Sequence, residues 1–219
     1  MATSGTQTFN IDASDIIEEA YERCGLELRT GYDARTARRS LNILMSDWSN
    51  RGINLWTVKE ATQSLTAGTA NYTLDAYTVD VLDAVIRRNG VDYNMERIGR
   101  SEYQNLPKKT TEGRPTQYWV DRQSTPVIYL YPTPENSTDQ LRFYRTERVE
   151  DINELTNDAD VPSRFLAPLI SGLAYYLAIK KAPERAQGLK MIYEEEMVRA
   201  ETEDRERVSL RIVPSRGYL

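Results

Sequence analysis

The sequence predicts an α+β protein: an antiparallel helical bundle built from N- and C-terminal helices, with an inserted antiparallel β domain and an extended C-terminal arm. Apolar residues recur at helical spacing before residue 52 and again after residue 162, whereas short segments with strand spacing fill the interval. A chain of 219 residues can bury such a core without covalent staples. We place the bundle at 1–54 and 158–204, the β-rich insert at 55–157 and the arm at 205–219.

The first predicted helix runs from about Asp12 or Ser14 to Cys24, and either of the first two residues is a suitable N-cap. Gly25 ends the helix. Cys24 is the sole cysteine, so neither an intrachain disulfide nor a multi-cysteine metal site can form, and we expect a buried, unreactive thiol. The predicted buried face consists of Ile16, Ile17, Ala20, Tyr21 and Cys24.

The second predicted helix begins after a loop that contains Thr30 and Gly31, and ends at Asn50-Arg51-Gly52. Trp48 then lies where the helices meet the β region, so it belongs at their junction. Steps of three and four residues give this helix an apolar face of Ala34, Ala37, Leu41, Leu44, Met45 and Trp48. Arg35, Arg38, Arg39 and Asp47 fall on the other side.

Those arginines leave one alternative open, in which the helix pair is a helix-turn-helix-like DNA-binding unit of a regulatory protein. The loop between the helices is longer than the usual tight turn of that motif. Charge clusters on helices are also most often solvated faces, so we rank this alternative second.

The segment from Leu55 to about Val149 has strand patterning. Leu55, Trp56 and Val58 begin a strand, and residues 65–74 form a turn between two extended segments. Asn89-Gly90 favours a two-residue hairpin loop, because both positions tolerate positive φ. The remaining predicted elements are strands at 81–87, 91–95, 116–120, 127–131 and 141–146, and a short helical turn with an exposed loop at 101–114.

The aromatic residues of these strands could stack on nucleic-acid bases, but aromatic residues on strands more often form a core or a partner-facing surface. Basic residues do not surround them in excess, which favours the second interpretation. The series is Tyr118, Trp119, Tyr129, Tyr131, Phe143 and Tyr144.

Two further helices follow residue 162, and Ser163 is a candidate N-cap for the first of them. We expect that helix to be the centre of the bundle, with Leu166, Leu169, Ile170, Leu173, Ala174, Leu177 and Ala178 on its apolar face. The last helix, about Glu184 to Asp204, points Ala186, Leu189, Tyr193, Met197 and Ala200 inward. Its predicted outer face is acidic and carries Glu194, Glu195, Glu196, Glu201, Glu203 and Asp204.

The C-terminal arm differs in charge from the rest of the chain, since residues 205–219 hold four arginines and one acid while the whole protein carries −5. Apolar residues alternate there at strand spacing, which is typical of an arm that adds itself to another chain. The candidate binding residues are Arg205, Arg207, Val208, Leu210, Arg211, Ile212, Val213, Arg216, Tyr218 and Leu219.

Composition excludes several kinds of site. Without histidine there is no Ser-His-Asp or Cys-His nucleophile and no HExxH zinc site. An enzymatic alternative would rest only on scattered carboxylates such as Asp158, Asp160, Glu194 and Glu195, so we expect no catalytic residue, cofactor or metal. The N-terminal residues and the lack of long apolar runs predict a soluble protein made in a cytoplasm.

The order of elements resembles the head-to-tail adaptor (connector, or tail tubular) proteins of short-tailed bacteriophages. The local likeness lies in Trp48-Ser49-Asn50-Arg51-Gly52, Trp56, and the turn at 66–74. The resemblance implies a structural virion protein of the neck region that forms a dodecameric ring below the portal. It further implies an arm, 205–219, that binds the portal protein or an adjacent subunit. In that family the ring extends the DNA channel, so packaged DNA would pass through the ring without sequence-specific binding. The ring also carries the tail nozzle or the tail fibres.

Overall fold

The computed structural model describes residues 5, 9–51 and 55–205. Two long helices precede a mainly antiparallel β region and two follow it, so the predicted α+β class is confirmed. Two 3₁₀ turns, at Leu55–Thr57 and Ser163–Phe165, precede the first strand and the fourth helix. The α-helices are α1 (Ala13–Arg23), α2 (Gly31–Arg51), α3 (Arg100–Asn105), α4 (Leu166–Lys181) and α5 (Pro183–Glu203).

The described residues contain ten strands, which form two four-stranded sheets and one short pair. They are β1 (Val58–Ser64), β2 (Asn71–Thr73), β3 (Thr78–Arg88), β4 (Val91–Asn94), β5 (Glu96–Arg97), β6 (Glu112–Gly113), β7 (Gln117–Asp121), β8 (Val127–Tyr131), β9 (Thr133–Pro134) and β10 (Gln140–Glu147). The sheet orders are β1-β10-β3-β4, β2-β8-β7-β5 and β6-β9. The predicted β domain is antiparallel, but the two-residue pairings β5–β7 and β6–β9 are parallel.

The helical core is centred on α4, which contacts α1, α2 and α5, as the sequence predicted. Gly172 lets these helices approach closely: a Cβ there would lie 2.8 Å from Leu44 Cδ2 and 2.9 Å from Tyr193 Cε2. The predicted inward residues of α1 and α2 are all buried, as are those of α4 and α5 except the half-buried Leu166 and Ala186. Four helices therefore share one hydrophobic core.

The two larger sheets share a second core, which includes Leu65, Val81, Ile86, Ile128 and Leu141. The strands predicted around the hairpin are confirmed as β3 and β4, which pair in an antiparallel register. The φ angles of Asn89 and Gly90 are +52° and +80°, the positive values that a two-residue hairpin loop requires. Residues 65–70 connect β1 to β2, but these strands belong to different sheets.

Local predictions at the helix starts have mixed outcomes. Asp12 is the N-cap of α1, where its Oδ1 accepts a hydrogen bond from Asp15 N at 2.9 Å, as predicted. Leu55 and Trp56 do not begin a strand, because they form a 3₁₀ turn and β1 starts at Val58. Ser163 is not an α-helical cap either, because it opens the 3₁₀ turn that precedes α4.

The domain boundaries at residues 55 and 157 stay a prediction. The helical core includes Val149 and Ile152 and packs against Trp56, which belong to the predicted insert, whereas the second core lies wholly within 55–157. Gly52 and the arm from residue 206 onward lie outside the described residues, so the proposed helix stop and arm conformation stay predictions as well. Within the described ranges, no helix is both long and apolar enough to cross a membrane.

Candidate interaction surfaces

A cluster of aromatic rings joins the helices at the end nearest the β region. Trp48 is fully buried, and its Nε1 donates a hydrogen bond to Tyr193 Oη at 2.9 Å. Its ring centroid lies 5.6 Å from that of Phe165, which in turn lies 4.4 Å from Trp56. Burial raises the pKa of Tyr193 to about 12. This cluster confirms that Trp48 is buried where α2, α5 and the entry to the sheets meet.

Asp204 connects the end of α5 to two further segments at the root of the arm. Its carboxylate accepts a hydrogen bond from Leu55 N at 2.9 Å and another from Arg164 Nε at 2.9 Å. The prediction that Asp204 lies on a solvated acidic face is wrong, because the residue is buried. The end of α5 is therefore held to both 3₁₀ turns, and the arm begins one residue later.

A buried polar cluster connects α1, α4 and α5. Ser171 is fully buried and donates its hydroxyl to Glu196, while Arg23 donates to the Ser171 hydroxyl. Arg23 Nη1 lies 3.8 Å from Glu196 Oε2, so the two charges partly neutralise each other. Glu196 thus belongs to a helix contact rather than to the solvated acidic face that the sequence predicted.

A basic groove of about 420 Å³ runs beside α2. Among the described residues that line it are Arg35, Arg38 and Arg39 and no acid, and Arg38 donates a hydrogen bond to Asn153 O. Ile43 also lines the groove and is 51% exposed. The remaining lining residues are Asn42, Ser46, Ile152 and Asn153.

The outward face of α5 is apolar as well as acidic, which the sequence analysis missed. Met191 and Val198 are 66% and 60% exposed, and Glu195 lies between them at helical spacing. Among the predicted acids of this face, Glu194 pairs with Arg51 at 3.1 Å. Within the described part of the chain, Glu195 has no hydrogen-bond or ion-pair partner.

A third surface is an apolar groove of about 510 Å³ between α1 and α4. Phe9, Ile11, Leu166 and Ile170 supply apolar side chains. Asp15 and Glu19 lie along the same groove, together with Arg23, Ser163 and Ala167. Since Arg164 follows Ser163 and binds Asp204, this groove lies beside the root of the arm.

The scattered carboxylates considered for an enzyme do not form a joint site. Asp158 bridges to Asp12 through the backbone, Asp160 Oδ2 accepts from Glu150 N, and Glu195 is on the outward face of α5. No group of three or more potential metal ligands occurs among the described residues. Cys24 is buried as predicted, its thiol donates to Ala174 O, and burial raises its pKa.

The aromatic series divides into two core residues, two residues of a surface cluster, the half-buried Tyr131 and the exposed Tyr144. Tyr118 and Phe143 are in the β core. Trp119 stacks on Tyr129 with ring centroids 4.8 Å apart, and Tyr103 of α3 stacks on Trp119 at 5.3 Å. Because these rings pack against one another under α3, they do not form an open row for stacked bases.

Arg205 is the only member of the predicted arm among the described residues, and it is exposed. Arg207, Val208, Leu210, Arg211, Ile212, Val213, Arg216, Tyr218 and Leu219 lie outside them. The steps of four and three residues that separate Met191, Glu195 and Val198 are visible in the sequence, and this helical spacing could have revealed the stripe. No local signal could have found Asp204, because its partners are 40 and 149 residues away.

Comparison with known protein families gives one finding that covers nearly the whole chain. A family model described as "SU10 adaptor protein" matches residues 11–214, which include both pairs of long helices, all the sheets and most of the predicted arm. No curated protein matches the chain.

Proposed function

This chain belongs to the SU10 adaptor protein family, a family of phage head-to-tail adaptors, and we propose that its copies form the ring that joins the portal to the tail. As a phage adaptor it is a structural virion protein. The proposal adds that the ring extends the DNA channel and carries a tail nozzle or tail fibres. The observation that carries it is the family match over residues 11–214.

The helical bundle suits a ring subunit because its helices are fixed to one another by buried contacts. Trp48 binds Tyr193 across α2 and α5, and Ser171 connects α4 to α1 and α5. A subunit that passes load between a head and a tail needs such contacts rather than a cleft for a substrate. Ring closure by twelve copies is part of the proposal, since cyclic assemblies need only one repeated front-to-back contact.

The charge of the protein suits a channel that lets DNA pass. A net charge of −5 opposes stable binding to phosphate, which depends on basic surface and on counterion release. Packaged DNA would therefore move past the ring without sequence-specific contacts. The helix-turn-helix-like regulator has no support from the family match, and Arg38 is engaged with Asn153 O.

The arm, residues 205–219, is the segment that we propose to bind the portal protein. It combines alternating apolar residues with four arginines, so it can add a strand to another chain and pair with acidic side chains. Its root is firmly placed, because Asp204 is bonded to Leu55 N and Arg164. A fixed root lowers the entropy that the arm loses on docking.

Deletion of the arm tests this proposal, and the contacts of Asp204 determine the truncation point. Truncation after Arg205 removes residues 206–219 but keeps Asp204 and both of its bonds. We expect the truncated chain to keep the circular dichroism melt of the full chain and to lose attachment to portal rings in a pull-down and by electron microscopy. Attachment at the wild-type level would overturn the role of the arm.

Two matched variants of the full chain separate the contributions of the arm. In one, Arg207, Arg211 and Arg216 are changed to Gln; in the other, Val208, Leu210 and Ile212 are changed to Ser. If strand addition dominates, the serine variant should weaken portal binding more, while the glutamine variant should mainly slow association. Mass measurement of the chain alone and with portal rings would show whether assembly needs that template. A chain that never forms a ring with portal present would contradict the ring itself.

A further inference from the structure

Two long helices present outward stripes of opposite charge. On α2, helical spacing places Tyr32, Arg35, Arg39 and Ile43 on the side opposite the buried residues. On α5, the same spacing places Glu184, Met191, Glu195 and Val198 on the outward side. Both helices have 21 residues, so the two stripes are of similar length.

The α2 stripe borders the basic groove, and the α5 stripe has side chains that suit it. The groove, about 420 Å³, is lined by three arginines and has the exposed Ile43 at its edge. Met191 is unbranched and flexible, so it can fill an irregular groove, and Glu195 supplies the charge that the groove lacks. Burial of these exposed apolar side chains would add affinity, and the charges would set the orientation.

The two stripes cannot satisfy each other within one molecule. Their helices meet through the opposite, inward sides, where Trp48 binds Tyr193. Pairing of like faces between two copies is also unfavourable, because α2 against α2 would bring arginines together and α5 against α5 would bring Glu195 against itself. A contact between the different faces of two copies matches charge and apolar surface together, and in a ring this contact repeats front to back.

We propose that α5 of one copy seats Met191, Glu195 and Val198 against the basic groove beside α2 of the next copy. This inference rests on the proposed ring, and it names the faces that form the repeated contact. The occupant of the groove is a second copy of this chain, held by apolar contact of Met191 and by pairing of Glu195 with Arg35 or Arg39.

Engineered cysteines test the contact directly, because the single native cysteine, Cys24, is buried. Ile43→Cys and Met191→Cys are made in separate full-length chains and then mixed under mild oxidation. We expect a mixed disulfide dimer from the mixture and little product from either variant alone. A chain that carries both substitutions should form a ladder of linked oligomers, since each copy then has both partners. A mixture that gives no more product than the unsubstituted chain overturns the pairing.

Charge reversal provides an independent measurement of the same contact. With these cysteines in place, Arg39→Glu or Glu195→Arg alone should slow formation of the mixed disulfide about tenfold, because each brings like charges together. The two reversals combined should restore most of the rate. Arg100→Glu is the matched control, since Arg100 is an exposed arginine at the start of α3 and far along the chain from both stripes. Equal rates in all variants would contradict the proposal.

These outcomes are distinguishable from failure of the ring proposal. If wild-type chain assembles on portal rings and the reversals leave assembly unchanged, the helix faces named here are wrong but the ring stands. If the mixed disulfide forms and responds to charge while no ring appears on portals, the contact is right and the proposed function is wrong.

Discussion

Replacement of Trp48 by alanine tests the buried junction on which the helical core depends. The Trp48 side chain is fully buried, and aromatic side chains bury about 150–250 Å² each. At about 25 cal/mol per Å², its removal corresponds to roughly 4–6 kcal/mol, reduced where neighbouring side chains relax into the space. Measured Trp→Ala and Phe→Ala changes in cores cost about 3–5 kcal/mol, so we expect that loss in the free energy of unfolding.

Loss of the hydrogen bond from Trp48 to Tyr193 accounts for the smaller part of this decrease in the free energy of unfolding. A net hydrogen bond contributes about 0.5–1.5 kcal/mol, although leaving a buried donor unpaired costs about 1–3 kcal/mol. Tyr193→Phe is the matched variant, because it keeps the ring and leaves the Trp48 N–H without its partner. We expect it to cost about 1–2 kcal/mol, clearly less than Trp48→Ala. Packing rather than hydrogen bonding then dominates at this junction.

The assay is chemical unfolding followed by the far-ultraviolet circular dichroism of the helices. Fluorescence is unsuitable, because the change removes one of only three tryptophans. The variant and the wild type should show the same dependence of stability on denaturant, so that the shift of the midpoint reports stability alone. A loss below about 1 kcal/mol, the size of an ordinary surface change, would refute the placement of Trp48 at the centre of the junction.

Three further changes test other parts of the structure. Gly172→Ala should destabilise the protein by about 1–3 kcal/mol in thermal unfolding, because the new Cβ would meet Leu44 and Tyr193 below 3.0 Å; an unchanged melting temperature would contradict that close approach. The pKa of Tyr193 is raised to about 12, above its unfolded value near 10, so its contribution to stability should be constant below pH 10 and be lost between pH 10 and 12. Wild-type stability should therefore fall more steeply in that range than the stability of Tyr193→Phe, and equal slopes would argue against the shift. Asp204→Asn should lower the free energy of unfolding by about 1–3 kcal/mol in denaturant, because it weakens the acceptor for Leu55 N and for the Arg164 guanidinium. Truncation after Arg205 keeps both hydrogen bonds, so it should leave the free energy of unfolding almost unchanged.

Helical periodicity predicted the helical core well because burial on a helix repeats every three to four residues. Ala37, Leu41, Leu44 and Trp48 are all buried at that spacing. The hairpin at Asn89-Gly90 was equally predictable, because its signal is confined to two adjacent residues. These features depend on neighbours close in the chain, which a single sequence displays.

The errors occur where distant partners override local preference. Trp56 and Thr57 have strand propensity, but the N–H of the preceding Leu55 binds Asp204, and the segment forms a 3₁₀ turn instead. Asp204 looks like one more acid on a solvated helix end, and only Arg164 and Leu55 explain its burial. The parallel pairings of β5 and β6 are likewise set by strands elsewhere in the chain, so two-residue segments give no hint of them.

Stability and assembly depend on different residues in this protein, so the two can be perturbed separately. The residues that hold the fold, such as Trp48 and Gly172, are buried against α4 and its neighbours. Arg39 and Glu195 are exposed and, among the described residues, have no partner in their own chain, so reversal of their charge should leave the melting temperature nearly unchanged. Exposed charges of this kind contribute mainly to orientation and to rejection of wrong pairings. A reversal that lowers both the melting temperature and the rate of cross-linking would place these residues in the fold rather than at a contact between copies.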